Sequence, residues 1–312
     1  MNRFPYSNDN KRYYTFNYYL KERYGKKVAK ISLNGNFTCP NRDGKLATGG
    51  CTFCSDIGSG DFAGNVQDDL FTQFEDIKAK QGLKWKDSDY ISYFQAFTNT
   101  YAPLDILKQC FDPFTNIDQI KALAIGTRPD CLEDETIAYL DSLTDKLDVW
   151  LELGLQTTYD STAQAFNRAY NYDVFLDTLE RLNQTNIKVC VHMINGLPGE
   201  DKQMMLNNIK RLSKLKGIDA VKIHMLHLLK GSVMAKQYQE KPWDLLTMEE
   251  YIELVVQQLS YLPKEMIIQR LTGDAKKEDL LQPQWTLRKI DVLNGIDKYM
   301  ALHDICQGDN FV

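Results

Sequence analysis

Short apolar runs and helical stretches alternate steadily from about residue 27 to about residue 228. Val28 to Phe37, Tyr90 to Phe97, Lys121 to Gly126, Val149 to Leu155, Ile187 to Ile194 and Ala220 to Leu226 read as six strands. Val66 to Gln81, Leu104 to Phe111, Glu133 to Leu143, Val174 to Gln184 and Lys202 to Leu215 read as the intervening helices. Strands this continuously apolar are buried on both faces. The succession predicts an α/β fold with a parallel sheet and covering helices, closed into a partial barrel. Beyond about residue 236 the pattern changes. Glu249 to Leu259 and Leu287 to Gln307 read as helices, and Met266 to Ile268 as a last strand that completes or caps the barrel.

This divides the chain into an N-terminal segment 1–26, a core 27–235 and an extension 236–312 that packs on the barrel. In such folds the loops after the carboxyl ends of the strands carry chemistry. The polar segments fall there. Thr98-Asn99-Thr100-Tyr101 follows the second strand, Gly126-Thr127-Arg128-Pro129-Asp130 the third, and Asn195-Gly196-Leu197-Pro198 the fifth. Arg128 and Asp130 form an ion pair or meet substrate. Lys222 and His224 share one face of the sixth strand, which favours a polar lumen. His192 and His224 are satisfied core residues or substrate contacts, and on the second reading they are the candidate catalytic side chains.

The N-terminal segment changes the picture in one way. Tyr13, Tyr14, Tyr18, Tyr19 and Tyr24 are interleaved with Lys21 and Arg23. Such a mixture serves phosphate contacts with stacking on an unpaired base, or an amphipathic helix whose tyrosines pack on the barrel. The 312 residues carry a net charge of −5, which excludes a whole-surface nucleic-acid binder but allows a local basic patch. No apolar stretch is long enough for a membrane span, and the N-terminus lacks the apolar core of a secretory signal. A cytoplasmic location is expected.

Seven cysteines fit no even disulfide framework. Cys39, Cys51 and Cys54 lie in one glycine-containing loop after the first strand. Three thiolates suit a metal cluster that keeps one coordination position open. The alternative is a zinc knuckle completed by a distant fourth ligand. Cys110, Cys131, Cys190 and Cys306 show no pairing pattern and read as small buried hydrophobes, with Cys131 nearest to a rim loop.

Cys51-Thr52-Phe53-Cys54 resembles the cluster loop of radical S-adenosylmethionine (SAM) enzymes, and the long gap from Cys39 to Cys51 is similar to the branch of the Elongator catalytic subunit. The segments Tyr93 to Tyr101, Ile125 to Asp130, Glu152 to Gln156, Met193 to Glu200 and Arg270 to Asp274 extend the likeness over most of the chain. Together they resemble the YtqA/YhcC-like (MnmL-like) group. The resemblance implies a partial TIM-type (β/α)6 radical SAM barrel with a C-terminal extension. It implies a [4Fe-4S] cluster on Cys39, Cys51 and Cys54, and S-adenosyl-L-methionine cleaved to a 5′-deoxyadenosyl radical. Thr98 and Asn99 would take the place of the segment that holds SAM's amino group, Glu152 and Gln156 its ribose or methionine end, and Arg168 its carboxylate. Gly196 would form the turn beneath the adenine. The resemblance also implies a reductant such as flavodoxin or ferredoxin, and tRNA as partner. The reaction would remove the carboxymethyl part of a carboxymethylaminomethyl wobble uridine. The competing readings are radical chemistry on a small metabolite and a non-enzymatic zinc or iron–sulfur module.

Overall fold

A computed structural model describes residues 2–55, 58, 62–83, 85 and 87–312. In chain order the elements are α1 (Phe16–Tyr24), β1 (Val28–Leu33), α2 (Leu70–Gly82), β2 (Asp89–Phe94), α3 (Leu104–Phe111), β3 (Ile120–Thr127), α4 (Asp134–Ser142), β4 (Asp148–Gln156), α5 (Asp160–Ala165), α6 (Tyr172–Leu182), β5 (Lys188–Asn195), α7 (Lys202–Leu212), β6 (Ala220–Met225), β7 (Leu228–Leu229), α8 (Val233–Glu240), α9 (Met248–Ser260), β8 (Ile267–Arg270), β9 (Leu280–Gln282) and α10 (Lys289–Leu302). β1 to β6 and then β8 form one seven-stranded sheet in sequence order, parallel throughout. The partial barrel is therefore as expected, with its seventh strand supplied by the C-terminal extension. β7 and β9 form a separate antiparallel pair.

The two faces of the sheet do different work. Outward-facing residues such as Ile31, Leu123, Leu151, Val191 and Ile223 are fully buried beneath the helices in the main hydrophobic core. Inward-facing residues form layers, because every second side chain points to the same side. The lowest layer is apolar: Val28, Ile91, Ala122, Trp150, Cys190 and Ala220. Above it lies a polar layer of Lys30, Tyr93, Glu152, His192, Lys222 and Gln269. The next holds Ser32, Gln95, Gly126, Gly154, Ile194 and His224.

α1 closes the lower end. Leu20 is buried in the lowest layer, and Tyr14, Phe16, Tyr19 and Tyr24 pack against it. Phe16 and Tyr19 meet Trp150 edge-on at 5.7 and 5.8 Å. The Tyr24 hydroxyl and the Arg23 guanidinium both donate to Asp148. The tyrosines of the N-terminal segment thus follow the packing alternative, at the end of the barrel opposite the cysteine loop. The backbone N–H of Ile268 donates to Tyr14, and the buried Gln307 amide ties Tyr14 to Pro263 and Met266. The two ends of the chain are stitched together beneath the barrel.

Side-chain caps fix several helix starts, and Asp69 sets that of α2 four residues after the expected Val66. Asp69 caps α2, Asp201 caps α7, and Thr247 with Glu250 makes a capping box on α9. No helix among the described residues is long and apolar enough to cross a membrane.

Candidate active site

The inward layers open into a cavity of about 600 Å³ at the carboxyl ends of the strands. That is ample for a cofactor and part of a substrate. Cys39, Cys51 and Cys54 all line it, although none lies in a helix or strand. Short bonds inside the loop place them. The N–H of Cys54 donates to the Cys51 carbonyl, and that of Arg42 to the Cys39 carbonyl. Gly50 has φ of +77°, and a Cβ there would stand 2.8 Å from Arg42 Nε, so the turn before Cys51 requires glycine. The Asn41 amide reaches toward Cys51 Sγ at 3.7 Å and also donates to the Asn167 carbonyl.

The sulfurs sit in a cationic setting. A hydrogen bond from Cys54, together with the charges of Arg128 and Arg168, outweighs burial and lowers the pKa of Cys51. The same bond and burial hold the Cys54 thiol well up. A lowered thiol pKa beside guanidinium groups favours the thiolate that metal ligation needs. Among the described residues no three His, Cys, Asp or Glu side chains are arranged to hold a single metal ion.

The polar layer is the cavity's floor. Glu152 is fully buried, and its oxygens take three donors. Lys30 Nζ reaches Oε1 at 2.7 Å, while Lys222 Nζ and His192 Nε2 (3.0 Å) meet Oε2. Burial alone would raise the Glu152 pKa, but Lys222 and Lys30 overcome it and hold the carboxyl well below its ordinary value. An ionised carboxylate only accepts, so His192 Nε2 carries the hydrogen. Burial, reinforced by Lys222, lowers His192 to about 4, so the ring is neutral. His224, 5.4 Å away between ring centroids, is pushed well down by burial and by His192. Burial lowers Lys222 to about 8 against the pull of Glu152.

The other expected residues divide. Thr98 and Gln156 line the cavity. Gln156 adopts φ of +63°, where the β4–β5 register shifts, so Gly154 and Gln156 reach the cavity through an irregular strand end and not through simple alternation. Arg168 lines the cavity but is largely committed to the fold. It donates to the carbonyls of Tyr170, Leu155 and Thr157 at 2.9, 2.7 and 2.7 Å, and to Asp160 at 3.3 Å. Asn99 and Gly196 are not among the lining residues. Asn99 spends its amide hydrogens on the carbonyls of Phe94 and Gly126, tying β2 to β3. Gly196 faces Leu226 and Leu246. Arg128 makes a two-pronged bond to Asp130, so the ion-pair alternative holds, and it still borders the cavity. Cys131 is buried off the cavity, and burial raises its pKa.

Lys30, Tyr93 and Gln269 escaped the sequence reading. Lys30 carried a signal: a single cation inside Val28-Ala29-Lys30-Ile31, a strand buried on both faces.

Comparison with known proteins agrees with this geometry. A model of the radical SAM superfamily matches residues 44–212, and one of the radical SAM C-terminal domain matches residues 218–301. Cys39 lies just before the first match. The chain is 48% identical to the Bacillus subtilis protein YtqA over 310 residues, covering 99% of this chain and 96% of that one. It is 24% identical over 218 residues to the tRNA uridine(34) acetyltransferase of Methanocaldococcus jannaschii, covering 64% of this chain and 39% of that protein. Among solved structures, the Elp3 of Methanocaldococcus infernus lacking its N-terminus is similar with a TM-score of 0.68 at 17% identity, over 90% of this chain and 64% of that one, a likeness of fold. With over half its length matched by the superfamily model and near-complete alignment to a relative, this chain belongs to the radical SAM superfamily.

Proposed function

We propose that this chain is an enzyme that uses SAM and a [4Fe-4S] cluster to modify tRNA at the 5-substituent of the wobble uridine, removing the carboxymethyl part of carboxymethylaminomethyl-uridine. The observation that carries the radical chemistry is the meeting of Cys39, Cys51 and Cys54 on one cavity with a charged floor. The donor set fits the cluster: three soft thiolates, one of lowered pKa, with guanidinium groups nearby to offset negative charge. The cavity fits the cofactor, since Gly126 and Gly154 leave the inner wall without side chains where β3 and β4 end. When bound, the pair supplies hydrogen-atom abstraction through one-electron cleavage of SAM.

The chain's own residues do the rest. Arg42 brings positive charge to the border of the cavity, suited to SAM's carboxylate or to a phosphate, while Arg128 is paired with Asp130 and Arg168 is spent on backbone carbonyls and Asp160. Thr98 and Gln156 offer polar contacts on the wall. The floor network fixes Glu152 and the two lysines in place, and the plug of α1 keeps water from the lower end. A reductant of the flavodoxin or ferredoxin kind would supply the electron. The tRNA substrate is supported by the uridine-34 activity named for the archaeal relative.

Anaerobic reconstitution tests the chemistry: about four irons per chain and SAM cleavage on reduction are expected. Mass spectrometry of tRNA nucleosides from a deletion strain tests the substrate. Accumulation of the carboxymethylaminomethyl form is expected, and unchanged wobble uridines would reject tRNA.

A further inference from the structure

The floor of the cavity carries more positive charge than it neutralises. Lys30 and Lys222 face one carboxylate, Glu152, and His192 beside them is neutral. With Lys222 buried and the Lys30 side chain only 23% exposed, such an ammonium surplus favours an anion beside it. The same floor has unspent donors. Lys30 Nζ uses two of its hydrogens, on Glu152 and on Gln269 Oε1 at 3.0 Å. With its oxygen held by Lys30, Gln269 leaves its amide nitrogen buried without a protein partner. His224 Nε2, one layer higher, is likewise buried and unpartnered. The oxygens of Glu152 are already met by three donors. Lys30, Lys222, Gln269 and His224 all line the cavity.

We infer that this floor is a carboxylate-binding subsite, in which Lys30, Lys222 and the amide of Gln269 hold the anionic end of the substrate. The inference rests on the reading of this cavity as the substrate chamber of a radical SAM enzyme, and it narrows the substrate class to carboxylate-bearing compounds. The charge surplus of the floor is one, which matches a carboxylate and falls short of a phosphate monoester. For the proposed uridine, the group reaching the floor is the carboxymethyl end of its side chain. This would point the substituent into the chamber and leave the nucleotide at the rim.

The test uses the full chain, held anaerobically at pH 6.5, with acetate as probe and acetamide as its neutral counterpart, and reads binding by saturation-transfer NMR. Acetate is expected to bind about tenfold more tightly than acetamide, and Lys30→Met and Lys222→Met each to lose about that factor for acetate alone. Glu152→Gln removes the floor's one anion and is expected to tighten acetate, a direction that damage to the fold would not produce. Equal binding of acid and amide, or weakened acetate binding in Glu152→Gln, would overturn the inference. So would displacement of acetate by SAM, which would assign the floor to the cofactor's own carboxylate. The two readings fail separately. Acetate selectivity without SAM cleavage sinks the enzyme assignment and leaves the anion site. SAM cleavage without acetate selectivity does the reverse.

Discussion

Glu152 and Lys222 form a buried ion pair although β4 and β6 are not neighbours in the sheet. The curl of the sheet brings them together over His192 of the intervening β5, and Lys30 of β1 closes the group from the far wall. One carboxylate therefore ties together four strands of the barrel from the inside.

Replacing that carboxylate by an apolar residue strands two ammonium groups. Breaking a buried pair from one side costs about 3–5 kcal/mol. Glu152→Leu is expected to lose about that much in urea unfolding, with Glu152→Gln losing less because it still accepts hydrogen bonds. A Leu variant as stable as the parent would show that the lysines find water or each other's space without cost.

The buried histidines set the response to acid. Burial lowers His192 and His227 from 6.5 to about 4, aided by Lys222 at His192 and opposed by Asp274 at His227, and burial pushes His224 down as well. Between pH 6.5 and 4 the unfolded chain binds protons there that the folded chain does not, so stability falls as pH falls. The contribution is fully present above 6.5. Urea midpoints measured from pH 7 to pH 5 are expected to decline, and His227→Gln to flatten the slope. A midpoint independent of pH over that range would contradict the burial of these rings.

Much of this architecture was legible because buried parallel strands are nearly continuous apolar runs. All six expected core strands form within a few residues of their expected bounds, and the seventh was visible at Met266–Ile268. The polar lumen was foreshadowed by Lys222 and His224 on one face. The sequence could not show which distant strand Glu152 would meet. That depends on curl, which brings Lys30, Lys222 and His192 from three other strands onto it. β7, β9 and α8 left too short a pattern to read. Asn99 sits in the expected loop, where its amide hydrogens join strand ends while its Oδ1 is buried without a partner.

The N-terminal tyrosines offered two alternatives of equal weight, since composition alone does not distinguish a stacking surface from a packing one. Trp150 decides between them, held edge-on by Phe16 and Tyr19 and almost fully buried. Trp150→Ala is expected to cost about 3–5 kcal/mol by emptying the contact between α1 and the lowest layer. Charge reversal at exposed Lys21 is expected to leave tRNA affinity unchanged in filter binding. A large loss of affinity there would restore a nucleic-acid role to this end of the barrel.

Cys39 lies outside the segment matched by the superfamily model, yet it lines the same cavity as Cys51 and Cys54. If all three sulfurs hold the cluster, Cys39→Ser should lower reconstituted iron from about four per chain toward zero, as Cys51→Ser and Cys54→Ser should. Cys131→Ser, off the cavity, should keep its iron. Full iron content in Cys39→Ser would shift the third ligand elsewhere.

Gly154 offers the cleanest separation of cofactor binding from folding. A Cβ there would stand 2.6 Å from Gln156 Nε2, the free end of a side chain that can swing away, while the nearest backbone atom, the Thr127 carbonyl oxygen, is at 3.8 Å. Gly154→Ala should therefore leave stability within about 1 kcal/mol of the parent. The added methyl and the displaced Gln156 would both occupy the inner wall where SAM is proposed to lie. SAM affinity, measured by titration calorimetry on the reconstituted protein, is expected to fall about tenfold. Gly82→Ala meets nothing within 4 Å and serves as the neutral control. If Gly154→Ala binds SAM as tightly as the parent, the β4 end is not part of the cofactor's wall, and Gln156 loses its proposed role with it.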